Sequence, residues 1–314
     1  MGRTKDGAAQ IAQAGTNGRI VAAYLEALDA RPATRETYRR NLRPFVAWLE
    51  AEGLRIPETR REHILAYRAH LQETHRPGGV NAYLAAVRGL YRWLASETGY
   101  PDVARDVRGM RAGAGVSTAR EALTVEEARR VAAHLDGAGL QALRDRAMVN
   151  TMLRCGLRTV EIVRADVGDL RREGTRTVLW VHGKGRDEAD ELVVLDRAAL
   201  APITAYLQAR GAVSDHEPLF AGVGSRNAGG RLSTRTVRKA AKHAMQAEGI
   251  DGERYTAHSL RHTCLTLAIE GGASLLEAQA LARHADPRTT ERYLHRLERL
   301  RGAGEARVSA MLEG

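Results

Sequence analysis

Between Thr256 and His295 the chain gathers side chains suited to a phosphate ester. The string T-A-H-S-L-R-H-T sets His258 and Arg261 three residues apart, a spacing that puts both on one face of a helix. Arg261 keeps its charge at any ordinary pH, and its planar fork matches two phosphate oxygens. Further on, R-H-A-D-P-R-T-T-E-R-Y-L-H follows His284 with Asp286-Pro287, an N-cap and first-turn proline that open a helix carrying Tyr293 in its third turn. Positioning these groups takes an amphipathic helix ending at Gly271-Gly272, a second short helix, and the helix that bears the phenol.

The pattern H-x-x-R, then H, then Y nine residues after that histidine resembles the tyrosine site-specific recombinases, or integrases. Upstream, C-G-L-R-T-V-E is similar to the family's first arginine motif, which implies a catalytic role for Arg158 and a supporting one for Glu161. Two runs rich in Val and Leu, 176–182 and 191–195, read as strands flanking G-K-G-R-D-E-A-D. This looks like the family's β-hairpin, whose lysine enters the active site, making Lys184 the candidate. The sequence departs from the family in two places. Asp187, Glu188, Asp190 and Glu191 crowd a hairpin that is commonly basic, and Arg283 stands before His284 where glycine is usual.

The resemblance implies transesterification of a DNA phosphodiester. Tyr293 attacks phosphorus to form a 3′-phosphotyrosyl link and release a 5′-hydroxyl. Arg158 and Arg261 hold the non-bridging oxygens where charge develops. Ionising a phenol of pKa near 10 at neutral pH costs about 4 kcal/mol, and His258 takes that proton. Lys184 protonates the leaving oxygen; His284 donates a hydrogen bond to the phosphate and steadies the tyrosine helix. One phosphodiester replaces another, so neither ATP, metal nor cofactor is expected. The expected partners are double-stranded DNA with inverted-repeat core sites and three further copies of the chain, a tetramer on synapsed DNA that is monomeric when free.

Composition agrees with such a partner. The 314 residues carry a net charge of +10, contributed largely by arginine. Cys155 and Cys264 each sit in an apolar helical pattern and read as reduced core residues. No signal peptide and no membrane-length apolar run is present, so the expected location is cytoplasmic, on the nucleoid.

The expected fold is mainly α with a small β-sheet or hairpin in the catalytic domain, arranged as a two-domain DNA clamp. Residues 1–17 read as a disordered tail. Residues 18–100 read as a helical core-binding, SAM-like domain of four helices. Its second helix starts near Thr34, and Pro44 inside it predicts a kink or a broken turn. Its third starts from a capping box at Thr59-Arg60-Arg61-Glu62. Arg35, Arg39 and Arg43 on the second helix and Arg88 and Arg92 on the fourth form basic faces taken to grip DNA. Residues 101–120 read as a flexible, arginine-dotted linker, and 121–314 as the catalytic domain with a C-terminal tail helix. That domain adds a basic helix from Ser233, with Arg235, Arg238, Lys239 and Lys242 facing DNA. An arm-binding domain like that of large phage integrases is not expected.

Other readings fit less well. His258-Ser-Leu-Arg-His262 has zinc-protease spacing but lacks the glutamate. Lys184 lacks the glycine and the Ser/Thr of a P-loop. A type IB topoisomerase would share the chemistry, and a DNA-binding regulator would keep only the fold. The string A-R-H-A-D-P-R-T-T looks more like mobile-element integrases than the Xer pattern, a resemblance that implies integration and excision over resolution of replicon dimers.

Overall fold

The structure, a computed structural model, describes residues 16–110, 122–134, 137–183, 189–283 and 303–313. The chain divides into two compact units, 1–118 and 119–314.

The first unit is helical: α1 (Asn17–Ala27), α2 (Pro32–Ala51), α3 (Arg61–Thr74) and α4 (Pro77–Thr98), with a short 3-10 turn at Ile56–Glu58. Apolar residues at helical spacing make its core, including Leu42, Phe45 and Leu49 from α2 and Leu84, Val87, Leu90 and Tyr91 from α4. Gly99, at φ +71°, ends α4 in the left-handed conformation that glycine adopts without cost.

Three expectations for this unit change. Helix α2 runs on across Pro44 with no broken turn, the fully buried Leu42 and Phe45 on either side anchoring it despite the missing N–H. Helix α3 starts at Arg61, and the backbone N–H of Arg60 is capped by His63 Nδ1 at 3.0 Å. Thr59 is instead buried, its hydroxyl donating to Ile56 O at 2.8 Å and bonded to the Tyr91 hydroxyl. Lastly, residues 101–110 are not a loose linker. Ala104 and Val107 join the core, and the Asn81 amide holds Met110 through both backbone groups, at 2.7 and 2.9 Å. The expected linker's remaining residues, 111–120, lie outside those described.

The second unit packs α5 (Val125–Ala133), α6 (Leu140–Cys155), α7 (Thr159–Arg164), α8 (Arg197–Arg210), α9 (Thr234–Ala247), α10 (Ala257–Glu270) and α11 (Leu275–Ala282) with one antiparallel sheet. Its strands are β1 (Leu170–Glu173), β2 (Arg176–His182) and β3 (Ala189–Leu195), in the order β1-β2-β3. A last helix, α12 (Ala303–Glu313), follows the undescribed stretch 284–302. The capping box at Thr124 and Glu127 starts α5, with reciprocal bonds of 3.2 and 2.8 Å. Helix α6 is the central post: Ala147, Met148, Val149, Thr151 and Met152 are all buried, and its neighbours α8, α9 and α10 cover it.

Strand β1 was not anticipated. It reads L-R-R-E, three of its four residues are exposed, and it is held by ladder pairing to β2 rather than by an apolar pattern. The β2–β3 pair runs from Thr177↔Leu195 to His182↔Ala189, and Lys184, Asp187 and Glu188 lie outside the described residues.

Candidate active site

Arg158 is placed by the way α6 stops. Gly156, at φ +63°, turns the chain in the left-handed conformation, and Leu157 plugs the core at 0% exposure. Arg158 then becomes the extended N-cap of α7. Its backbone N–H donates to a Glu161 carboxylate oxygen at 2.8 Å, a favourable place for an anion at a helix start. Arg231 fixes the other end of α7, donating to Val163 O and Arg164 O at 2.9 and 3.0 Å.

Arg261 is placed by α10. Thr256 caps that helix, donating its backbone N–H to the Ser259 hydroxyl at 3.0 Å, and Leu260 and Leu265 bury the inner face completely. His258 lies exposed at the first turn, while Arg261, one turn deeper, is 2% exposed.

The two guanidiniums meet at the end of α11. Arg158 Nη2 donates to Ala282 O at 3.2 Å and to Arg283 O at 2.8 Å. Arg261 donates to the same Ala282 oxygen and to Gly156 O. Glu161, with a fully buried side chain, binds Arg158 Nη1 at 2.5 Å and Arg283 Nη2 at 2.8 Å. Three guanidiniums therefore surround one carboxylate.

Electrostatics follow from that count. Burial opposes ionisation of Glu161, but Arg283, the Arg158 N–H, and the Arg158 and Arg261 charges outweigh it and hold the carboxyl below its ordinary range. Burial, then the like charges of Arg158 and Arg283, push Arg261 down to about 9, so it remains a cation at neutral pH. Burial pushes the Cys155 thiol up to about 12 and Cys264 to about 11, fitting the expected inert core cysteines.

A cleft of about 370 Å³ opens over this cluster, lined by Arg158, Thr159, His258 and Arg238 among others. Arg158, 22% exposed, is the cluster's reach into it. Arg238 comes from α9, so one of the four basic residues expected to face DNA from that helix joins the motif residues. A larger groove, about 820 Å³, lined by Arg144, Asp145, Lys239 and His243, holds none of the motif residues.

The other basic residues fall into distinct settings. Arg235 and Lys239 are exposed, whereas Lys242 donates to Gly252 O at 2.9 Å and pairs with Asp251 at 3.3 Å. In the first unit Arg43 and Arg92 are exposed and Arg39 pairs with Glu36. Arg35 donates to Leu28 O at the end of α1 (3.0 Å), and the Arg88 Nε is buried. His284 and Tyr293 lie outside the described residues, as does Lys184.

Arg283 is the participant that sequence reading named only as a departure. It is the one non-glycine residue with positive φ among the described residues, at +50°, and its side chain is 5% exposed. Its position next to His284 was the available signal; its contact with Glu161, 122 residues away, was not.

Comparison with known proteins agrees with these observations. Residues 121–299 match the model of the phage integrase family, and residues 21–98 match the phage integrase N-terminal SAM-like domain. Tyrosine recombinase XerD of Pseudomonas aeruginosa is 32% identical over 269 residues, 83% of this chain and 86% of that protein. XerD of Caulobacter vibrioides is 33% identical over 285 residues, 87% and 90% of the two chains. Among solved structures, the XerH recombinase on a palindromic difH substrate in a post-cleavage complex aligns with a TM-score of 0.74 at 19% identity, covering 93% of this chain and 86% of that one. A lambda integrase (75–356) dimer on a COC′ core site aligns at 0.65 and 16% identity, covering 87% and 96%. The chain belongs to the phage integrase family and is a tyrosine recombinase.

Proposed function

We propose that the protein is a site-specific recombinase that cuts and rejoins DNA through a 3′-phosphotyrosyl intermediate at Tyr293. The observation that supports this best is the convergence of Arg158 and Arg261, distant in sequence, on one carbonyl oxygen of residue 282, two residues before His284. A scissile phosphate entering the cleft offers those guanidiniums anionic oxygens in place of neutral carbonyls, so the exchange favours substrate. Charge then grows on oxygens already faced by fixed cations, which is where preorganised electrostatics lowers a barrier. His258, at the cleft rim, takes the phenolic proton; Lys184 supplies one to the 5′-oxygen; His284 bonds the phosphate.

Exchange of strands needs four such sites, hence a tetramer on two duplexes. Helix α12 supports this, because Val308, Met311 and Leu312 are 59%, 83% and 82% exposed, an apolar edge suited to a neighbouring copy. The exposed Arg43, Arg92, Arg235 and Lys239 would contact DNA phosphates. For the biological role, A-R-H-A-D-P-R-T-T supports integration and excision of a mobile element. Similarity to Xer proteins along most of the chain supports the second reading, resolution of replicon dimers.

The test is a plasmid carrying two directly repeated copies of the site protected by the purified protein. Recombination predicts two smaller circles and dependence on both sites. Relaxation of supercoils without site dependence would indicate a topoisomerase, and protection without strand exchange a regulator. A site at the border of a mobile element, as opposed to one in a replicon's terminus region, would decide between the two roles.

A further inference from the structure

Arg283 holds a conformation that an L-residue rarely adopts, with φ +50°. Its two terminal nitrogens are tied down, while the buried Nε makes no hydrogen bond and lies 3.8 Å from the Glu191 carboxylate. It donates to Glu161 at 2.8 Å, to Gly156 O at 3.0 Å and to Leu281 O at 2.9 Å. Those bonds hold the turn that presents the Ala282 and Arg283 carbonyls to Arg158 and Arg261. A residue with a buried cation in a left-handed turn is a costly choice, and glycine would satisfy the backbone alone.

The charge count shows what the side chain adds. With Arg158 alone on Glu161, the carboxylate would neutralise the guanidinium that lines the cleft. With Arg283 on the second oxygen, Glu161 is already compensated, and the positive charge of Arg158 is left for an incoming anion. From this geometry we infer that Arg283 is a positioning residue for the cleavage reaction. It occupies Glu161 so that Arg158 can serve the scissile phosphate, and it pins the turn leading to His284. The inference rests on the recombinase reading above.

The test is single-turnover cleavage of a nicked duplex carrying the cognate site, at saturating protein and below the lowest melting midpoint of the proteins compared. Arg283→Gly keeps the turn's backbone freedom and removes only the side chain. It should form the covalent adduct about tenfold more slowly, with site affinity within about twofold of wild type. Arg283→Lys, which restores the charge, should recover most of that rate. In a Glu161→Gln background there is no carboxylate charge to occupy, so Arg283→Gly should cost less than threefold further. Equal rates for wild type and Arg283→Gly, or the full tenfold loss repeated in the Glu161→Gln background, would overturn the inference. No adduct from wild-type protein would overturn both it and the recombinase reading.

Discussion

Replacing Glu161 by glutamine keeps the side chain's shape and one carbonyl acceptor, but leaves Arg158, Arg261 and Arg283 around an amide whose NH₂ points donors at donors. The side chain is fully buried and makes two ion pairs, 2.5 and 2.8 Å, plus the N-cap bond from Arg158. Removing one partner from a buried ionic group typically costs about 3–5 kcal/mol, because the remaining charges stay desolvated. For a unit of this size each kcal/mol lowers the melting midpoint by about 2–4 °C, so the expected drop is roughly 6–20 °C. The pH dependence follows from the depressed Glu161 pKa. The carboxylate's contribution is complete above the ordinary glutamate range, near pH 4.3. It is lost as pH falls through the lower folded-state value, where the wild-type carboxyl takes up a proton and the two proteins converge. Calorimetric melts of wild type and Glu161→Gln at pH 7 and at steps down to pH 3 measure both features. A midpoint within 2 °C of wild type at pH 7, or a gap that widens on acidification, would refute the charge count.

Gly156→Ala places a Cβ at a left-handed φ of +63°, 3.4 Å from the Cys264 sulfur, at the turn whose carbonyl accepts from Arg261. It should destabilise by about 1–2 kcal/mol and slow cleavage, read by melting and by the nicked-duplex assay. With pKa values raised to about 12 and about 11, Cys155 and Cys264 should resist iodoacetamide at pH 8 in the folded protein. Both should alkylate in guanidinium, as counted by intact mass. Met311→Glu with Leu312→Glu should leave the melting midpoint of the free protein within about 1 °C, since both side chains are more than 80% exposed. Assembly of four copies on DNA should weaken, seen as a shift to smaller complexes in native gels.

The helices were legible in the sequence wherever apolar spacing and caps agree, as at Thr124, at Leu140–Cys155 and at Arg197–Arg210. The arginine pair was legible because C-G-L-R-T-V-E and H-S-L-R resemble the family's motifs; an arginine just past a helix-ending glycine would otherwise read as a surface residue. Long-range compensation was not legible. Thr59 carries a capping signature yet is drawn into the core by Ile56 and Tyr91. Residues 101–110 look like linker because small residues and arginines dominate, while Ala104 and Val107, two small apolar side chains, suffice to dock them. Strand β1 is charged and exposed, so only its ladder with β2 defines it. Arg283 reads as a surface-type residue displacing a glycine, and nothing local announces that its partner is Glu161.

On the proposed mechanism the phenol of Tyr293 becomes covalently joined to DNA at a phosphate held by Arg158 and Arg261. The direct measurement is to trap the protein on a nicked cognate duplex, digest the SDS-stable product, and locate the linked nucleotide by mass spectrometry. The expected result is a 3′-phosphoryl nucleotide on the peptide containing Tyr293, and no adduct with Tyr293→Phe or Arg158→Ala. An adduct on any other residue, or one that persists in Tyr293→Phe, would contradict it.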